Sequence, residues 1–336
     1  MEEQVFNNIS NKVFSRFVKD FNLPIQVTDS RYIMYYLKLY DKVYNSMYFY
    51  NLFEKYYMEV GGTNEAFLTE YYKVVDNAIE IVKGTPSYKE FIGNTSNMFN
   101  RKKEDWFCQN IPNKNVYHPS SEGKTFFSVD LVKGNYSALK YYSQEIKQEA
   151  DTKDNLILGS HNFEEFISLF SDNEYFKKSK HLRQVIFGNM NPKRQVTIEK
   201  VMIDNLAKVL VEKGLFKKED IHSVNNDELI FSLAEKKENL EENVKAVAKE
   251  LNIDIHTETF SIKQIKPLDS FVKIKEDKTI ELKCVDSSLM AQVYKHVMKD
   301  FLNNKEIIQQ DLMFKASNGL LAYFAEPITF EEDFTF

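Results

Sequence analysis

Two aspartates stand where a chain could hold divalent cations. Asp130 lies near the end of the apolar run Thr125-Phe-Phe-Ser-Val-Asp-Leu131, and Asp227 lies in Val224-Asn-Asn-Asp-Glu228, between two short apolar runs. Carboxylates on adjacent strands can hold two divalent ions about 3.5–4 Å apart, which clamp the attacking and leaving oxygens of a displacement at phosphorus. Mg²⁺ or Mn²⁺ suits such a site, because a hard ion takes few protein carboxylates and keeps substrate oxygens as ligands. Phosphoryl chemistry also needs a cation for the polyphosphate. Lys177, Lys178, Lys180 and Arg183 fall in one segment that reads as a helix over 175–187. Lys180 and Arg183 are three apart and share a face of it. Other chemistries find no support. His118, His161, His181, His222, His256 and His296 show no metal-ligand spacing. Neither Cys108 nor Cys284 has a histidine nearby in sequence, and no glycine-rich phosphate loop occurs.

The elements that must position these acids can be read from periodicity. Residues 125–131 read as a buried strand, and 221–233 as a hairpin with Asn225-Asn226-Asp227 at its tip. Helices are expected over 136–149, 162–172 and 175–187. Another begins at the Asn191-Pro192 cap and ends at Gly214, with Ile198, Val201, Met202, Leu206, Val209 and Leu210 on its apolar face. Leu240, Val244, Val247 and Leu251 mark a further helix, 253–259 a strand, and 271–284 a hairpin around Glu276-Asp277-Lys278. With the inserted helices set aside, the order is strand, helix, strand, strand, helix, strand. That is the split βαβ pattern, which brings Asp130 and Asp227 side by side on one antiparallel sheet.

Residues 1–93 read as helical. From Arg31 to Val60 the residues Ile33, Tyr36, Leu37, Tyr40, Val43, Tyr44 and Met47 keep a helical period. This aromatic stripe suits core packing better than base stacking. A second helix is expected over 65–83. Residues 94–124, rich in Asn and Pro, read as a linker with a basic cluster, Arg101-Lys102-Lys103, in a solvated loop or against phosphate. The run from Glu235 to Glu242 reads as a solvated helix face.

Composition bounds the rest. The 336 residues are 43% hydrophobic and 28% charged, enough for an ordinary core. A net charge of −6 argues against a wide phosphate-binding surface and leaves room for a local basic groove. No apolar run approaches the roughly 20 residues of a membrane span. The start, Met1-Glu-Glu-Gln, is too polar for a signal peptide. The expected location is the cytoplasm. Abundant Phe, Tyr, Lys and Asn fit coding in an AT-rich genome, such as a viral one, and then the cytoplasm is the host's.

Within residues 124–285 the chain resembles family B DNA polymerases. Ser128-Val-Asp130-Leu-Val-Lys-Gly-Asn135-Tyr136-Ser137 is similar to the family's D-x2-S-L-Y-P-S motif. Lys180-His-Leu-Arg-Gln184-Val-Ile-Phe187-Gly188 is similar to K-x3-N-x2-Y-G, and Val224 to Glu228 to Y-G-D-T-D-S, with Asp227 as its second aspartate. The resemblance implies a polymerase-type palm in which Asp130 and Asp227 bind the metals and Lys180, with Arg183 and Gln184 beside it, meets the incoming nucleotide. It implies that Phe187 packs near the nascent pair and that Gly188 lets the backbone approach it. The chain departs from the pattern at two places. Asn225 replaces an acid, and Asn135, with Tyr136 next door, stands where the family has its tyrosine sugar gate.

The expected protein is thus α+β: a helical N-terminal domain (1–93), a linker (94–124) and a palm-like domain (125–336) with short helical fingers over about 136–190 and a C-terminal β/α extension. The expected function is template-dependent nucleotidyl transfer to a nucleic-acid 3′ end, with primer-template and nucleoside triphosphates as partners and no membrane. A protein partner could dock on the helical N-terminal region. Two alternatives stand beside it: a non-catalytic palm that binds nucleic acid or protein, and a viral structural protein.

Overall fold

A computed structural model describes residues 9–26, 33–111, 114–235, 237–266, 268–302, 313–315 and 321–323. Arg31, Pro112, Asn113, Lys236 and most of the expected C-terminal extension beyond Leu302 lie outside the described residues. The fold is α+β, with one six-stranded antiparallel sheet. Its strands are β1 (Thr125–Leu131), β2 (Ile221–Val224), β3 (Glu228–Leu233), β4 (Ile255–Ile265), β5 (Ser270–Lys275) and β6 (Ile280–Lys283), in the order β2-β3-β1-β4-β5-β6. The helices are α1 (Asn11–Asp20), α2 (Ile33–Tyr44), α3 (Ser46–Glu59), α4 (Asn64–Gly84), α5 (Pro86–Gly93), α6 (Gly134–Tyr141), α7 (Phe163–Ser168), α8 (Glu174–Lys178), α9 (Lys180–Gly188), α10 (Pro192–Glu212), α11 (Leu240–Glu250) and α12 (Met290–Leu302). A separate pair, β7 (Met313–Lys315) and β8 (Leu321–Tyr323), is antiparallel. Among the described residues no helix is long and apolar enough to cross a membrane.

The chain forms two compact units, interleaved in sequence. One comprises Met1–Thr69, Tyr117–Gly123 and Phe260–Phe336; the other comprises Glu70–Val116 and Lys124–Thr259. In the first, Phe14 and Phe17 of α1 pack on Phe53 of α3, which also meets Phe67. All four rings are fully buried; of the aromatic stripe, Ile33, Tyr36, Leu37 and Tyr40 are buried in the core and Val43, Tyr44 and Met47 are half-buried. The helix expected across 31–60 is two helices. Asn45, at φ 49°, takes the left-handed conformation that Asn tolerates better than most residues. Asp41 then accepts a hydrogen bond from the Met47 backbone N–H at 2.8 Å, so the chain restarts as α3 rather than continuing α2.

The second unit holds both aspartates. β1 pairs antiparallel with β3, with Phe127 opposite Phe231 and Asp130 opposite Glu228. β3 also pairs with β2, its hairpin partner. Helices α6 to α10 lie in the chain between β1 and β2, and α11 lies between β3 and β4. The spatial order β2-β3-β1-β4 is that of the split βαβ arrangement. β4 runs further than the expected 253–259 and passes from this unit into the other at Thr259.

Two helices differ from expectation. The one expected over 136–149 is α6 followed by a π-helical turn at Tyr142–Ile146. The one expected over 175–187 is broken at Ser179, whose side chain accepts from the Leu182 N–H at 3.0 Å and starts α9 afresh. Lys177 and Lys178 therefore end α8, while Lys180 and Arg183 ride on α9. Phe187, near the end of α9, is fully buried against Tyr136, Phe163 and Phe166, with ring centroids 5.9, 6.2 and 5.4 Å away. Gln195 of α10 donates to the carbonyls of Phe187 and Met190, both at 2.8 Å, and so ties α9 to α10. Truncating a fully buried phenylalanine typically costs about 3–5 kcal/mol. Phe187→Ala should therefore lower unfolding free energy by that order in a denaturant titration, and a loss below about 1 kcal/mol would contradict its place in the core.

Candidate functional site

Asp130 is the last half-buried residue of β1, one position before Leu131. The Leu131 backbone N–H donates to the Asp227 carbonyl at 2.8 Å, and the Asn225 N–H donates to the Glu228 carbonyl at 2.8 Å. The first bond ties the exposed tip of the β2–β3 hairpin to the end of β1, and the second closes the turn itself, so that Asp227 is held beside Asp130. Sheet register thus delivers the two carboxylates without help from either side chain.

A third carboxylate completes the cluster. Glu199 projects from α10 and is only 7% exposed. It lies on the buried face of that helix with Gln195, Ile198, Met202 and Ile203. Helix α10 packs on α6, α11 and β3, so this face is aimed at the sheet. Gly134, the first residue of α6, sits between the acids. A β-carbon there would meet Glu199 Oε1 at 3.1 Å, Asp227 Cβ at 3.4 Å and Asp227 Oδ2 at 3.6 Å. A side chain there would press on the Glu199 carboxylate, which would have to give way by a few tenths of an ångström.

The electrostatics follow from this crowding. Burial, then the charges of Asp227 and Glu228, push Asp130 up to about 7, with Lys180 acting the other way. Burial, then Asp227 and Asp130, push Glu199 up to about 7 as well. Lys180 is exposed on α9 and close enough to oppose the rise at Asp130. Arg183, one turn on, is half-buried and lies 5.7 Å over the Phe163 ring. Burial lowers its pKa, while Glu164 and Asp130 hold it up.

No family model, curated protein or solved structure matches the chain. What the cluster can do rests on its own atoms. Among the described residues no three His, Cys, Asp or Glu side chains are already drawn into a cage for an ion. The donor set nevertheless suits a hard divalent cation: it is all oxygen, and a bound cation would offset both the burial and the repulsion that raise Asp130 and Glu199.

The other residues singled out from sequence divide into two groups. Asn135 is half-buried in the first turn of α6, beside Gly134, and Gln184 and Gly188 are exposed on α9. Tyr136 and Phe187 are in the core. The Tyr136 hydroxyl is bonded to the Ser160 hydroxyl at 3.0 Å and donates to its carbonyl at 3.2 Å, which holds the buried ring in the core. Phe187 is likewise fully buried. Lys177 pairs with Glu174 at 3.2 Å. Arg101, from the basic cluster, is committed to buried Asp204 at 3.4 Å and to the Trp106 ring at 5.0 Å. Glu199 escaped the sequence reading. Its signal was there: a carboxylate occupies a position of the apolar stripe next to Ile198.

The raised carboxyls make stability depend on pH. The folded chain keeps a proton on Glu199 up to about 7, while the unfolded chain loses it near the ordinary value of 4.5. Stability is therefore lost as pH rises from about 4.5 to about 7, by on the order of 3 kcal/mol for this group. Glu199→Gln should raise Tm at pH 8 without divalent ions and have little effect at pH 4. Equal shifts at the two pH values, or a lower Tm at pH 8, would contradict the cluster's electrostatics.

Proposed function

We propose that the split βαβ unit is a polymerase-type palm and that the protein transfers nucleotides to a nucleic-acid 3′ end. The observation that carries this reading is the register of β1 on β3, which sets Asp130 against the Asp227 turn. The conjunction of two strand-borne acids, a buried helix-borne acid and a facing lysine suits phosphoryl transfer, where catalysis consists mainly of positioning and charge neutralisation. Bound Mg²⁺ or Mn²⁺ would supply neutralisation of the phosphates and activation of the attacking hydroxyl.

Each residue then has a task. Asp130 and Asp227 are the metal ligands. Glu199, anchored in α10, is the third oxygen donor and makes up part of the charge lost at Asn225, which stands in place of an acid. Lys180 binds the triphosphate from the α9 side, and Arg183 supports it. Gly134 keeps the cluster open to the ion and the phosphate. With Tyr136 held in the core, the sugar contact falls to Asn135. An amide is smaller than a phenol ring and can hydrogen-bond a ribose 2′-hydroxyl, so discrimination between deoxyribose and ribose is weak.

Primer extension with labelled dNTPs and NTPs in Mg²⁺ or Mn²⁺ tests this reading. Extension is expected with both sugars and is expected to fall at least a hundredfold in Asp130→Asn, the order lost when a developing charge loses its partner. Absence of extension on every template, together with no binding of Mn²⁺, would shift the reading to a palm that binds without catalysing. Lys180→Ala should weaken nucleotide binding about tenfold or more, the order of a charge-assisted hydrogen bond. Lys177→Ala should leave it nearly unchanged. Equal losses would contradict the assignment of Lys180.

A further inference from the structure

The cations nearest the acidic cluster are not all free. Lys133, the residue before Gly134, adopts φ 53° and places its ammonium on both oxygens of Glu164, at 2.5 Å each. Its Nζ lies 5.5 Å from the centre of the Phe163 ring, and the Arg183 guanidinium lies 5.7 Å from the centre of the same ring. The two cations thus share one aromatic platform, and Glu164, the next residue after that phenylalanine, is charge-coupled to both. The Arg183 Nε is buried without a hydrogen-bond partner among the described residues. Lys178 also lies within electrostatic range of Glu164. Burial alone would raise the Glu164 carboxyl, but the hydrogen bond and charge of Lys133 outweigh it and hold the group below its ordinary value.

Glu164 is therefore shared by three cations, of which Arg183 is coupled to Asp130 as well. Such a seat fits a ligand with more negative charge and more acceptor oxygens than a glutamate has. A phosphate chain has both, and each cation–phosphate contact would be charge-assisted. The seat is next to the acids: Lys133 is bonded in sequence to Gly134, which touches Glu199 and Asp227, and Arg183 is charge-coupled to Asp130.

We propose that Lys133 and Arg183, on the Phe163 ring, form a polyphosphate subsite which Glu164 occupies in the free protein and vacates when a nucleoside triphosphate binds. The subsite deepens the nucleotidyl-transfer reading and rests on it for the identity of the ligand. Glu164 acts as an internal competitor. It keeps the cations in place and partly neutralised between turnovers, and it lowers apparent affinity by the fraction of time it holds the seat.

Calorimetric titration of the full-length protein with inorganic tripolyphosphate, without metal and at low salt, tests the subsite separately from catalysis. Glu164→Gln should tighten binding about three- to fivefold, the order of releasing one partly exposed ion pair. Glu174→Gln removes the same charge from α8, where it meets Lys177, and should change binding little. Lys133→Gln should weaken binding about tenfold, as for loss of a charge-assisted hydrogen bond. In the Lys133→Gln background the gain from Glu164→Gln should shrink sharply, because the two residues act on each other. Thermal melts confirm that each variant is folded. A gain equal to that of Glu174→Gln, or a gain that persists undiminished without Lys133, would overturn the proposal. So would tightening for a single-stranded oligonucleotide and none for tripolyphosphate, which would assign the cations to backbone phosphate. Failure of primer extension alongside the predicted tripolyphosphate results would remove the catalytic reading and leave the anion subsite standing.

Discussion

Like-charge repulsion among Asp130, Asp227 and Glu199 is the constraint around which this unit is built. Left to themselves, three carboxylates at close range would part or take up protons, and burial together with this repulsion raises both Asp130 and Glu199. The cluster persists because each acid is carried by a different rigid element. Asp130 is locked by the β1–β3 ladder, Asp227 by two backbone bonds at its turn, and Glu199 by a helix face whose neighbours are apolar. Raising two pKa values toward 7 costs stability at neutral pH. A cation can offset that cost, so the same repulsion that strains the free protein favours the bound one.

The aromatic core behind the cluster sets the cations in the same indirect way. Tyr136, Phe163, Phe166 and Phe187 interlock, joining α6, α7 and α9. Lys133 precedes α6, Glu164 lies on α7, and Lys180 and Arg183 lie on α9. Phe163 carries Lys133 and Arg183 on its ring, and the other three rings fix where that ring stands. Tyr136 and Phe187, whose motif positions suggested contact with substrate, are both buried in this cluster.

How much of this was legible in the sequence depended on how local the signal was. The strand before Asp130 and the polar hairpin tip at Asp227 each show within a few residues, and their pairing follows from the order of elements. The breaks at Asn45 and Ser179 did not show, because apolar spacing continues through both. The first turns on a left-handed asparagine, and the second on one side-chain cap. Glu199 was hidden for the opposite reason. A carboxylate in an apolar stripe is visible locally, but its meaning depends on facing a sheet whose acids come from elsewhere in the chain. The interleaving of the two compact units is set by long-range contacts, which no local pattern encodes.

The central claim is that these three acids form one cation site. The most direct measurement is the anomalous difference density of crystals grown with Mn²⁺. A peak bounded by Asp130 and Asp227, with Glu199 turned toward it directly or through water and lost in Asp130→Asn, is what the account predicts. Saturating Mn²⁺ with no peak beside Asp130, or a peak held only by other residues, would contradict it.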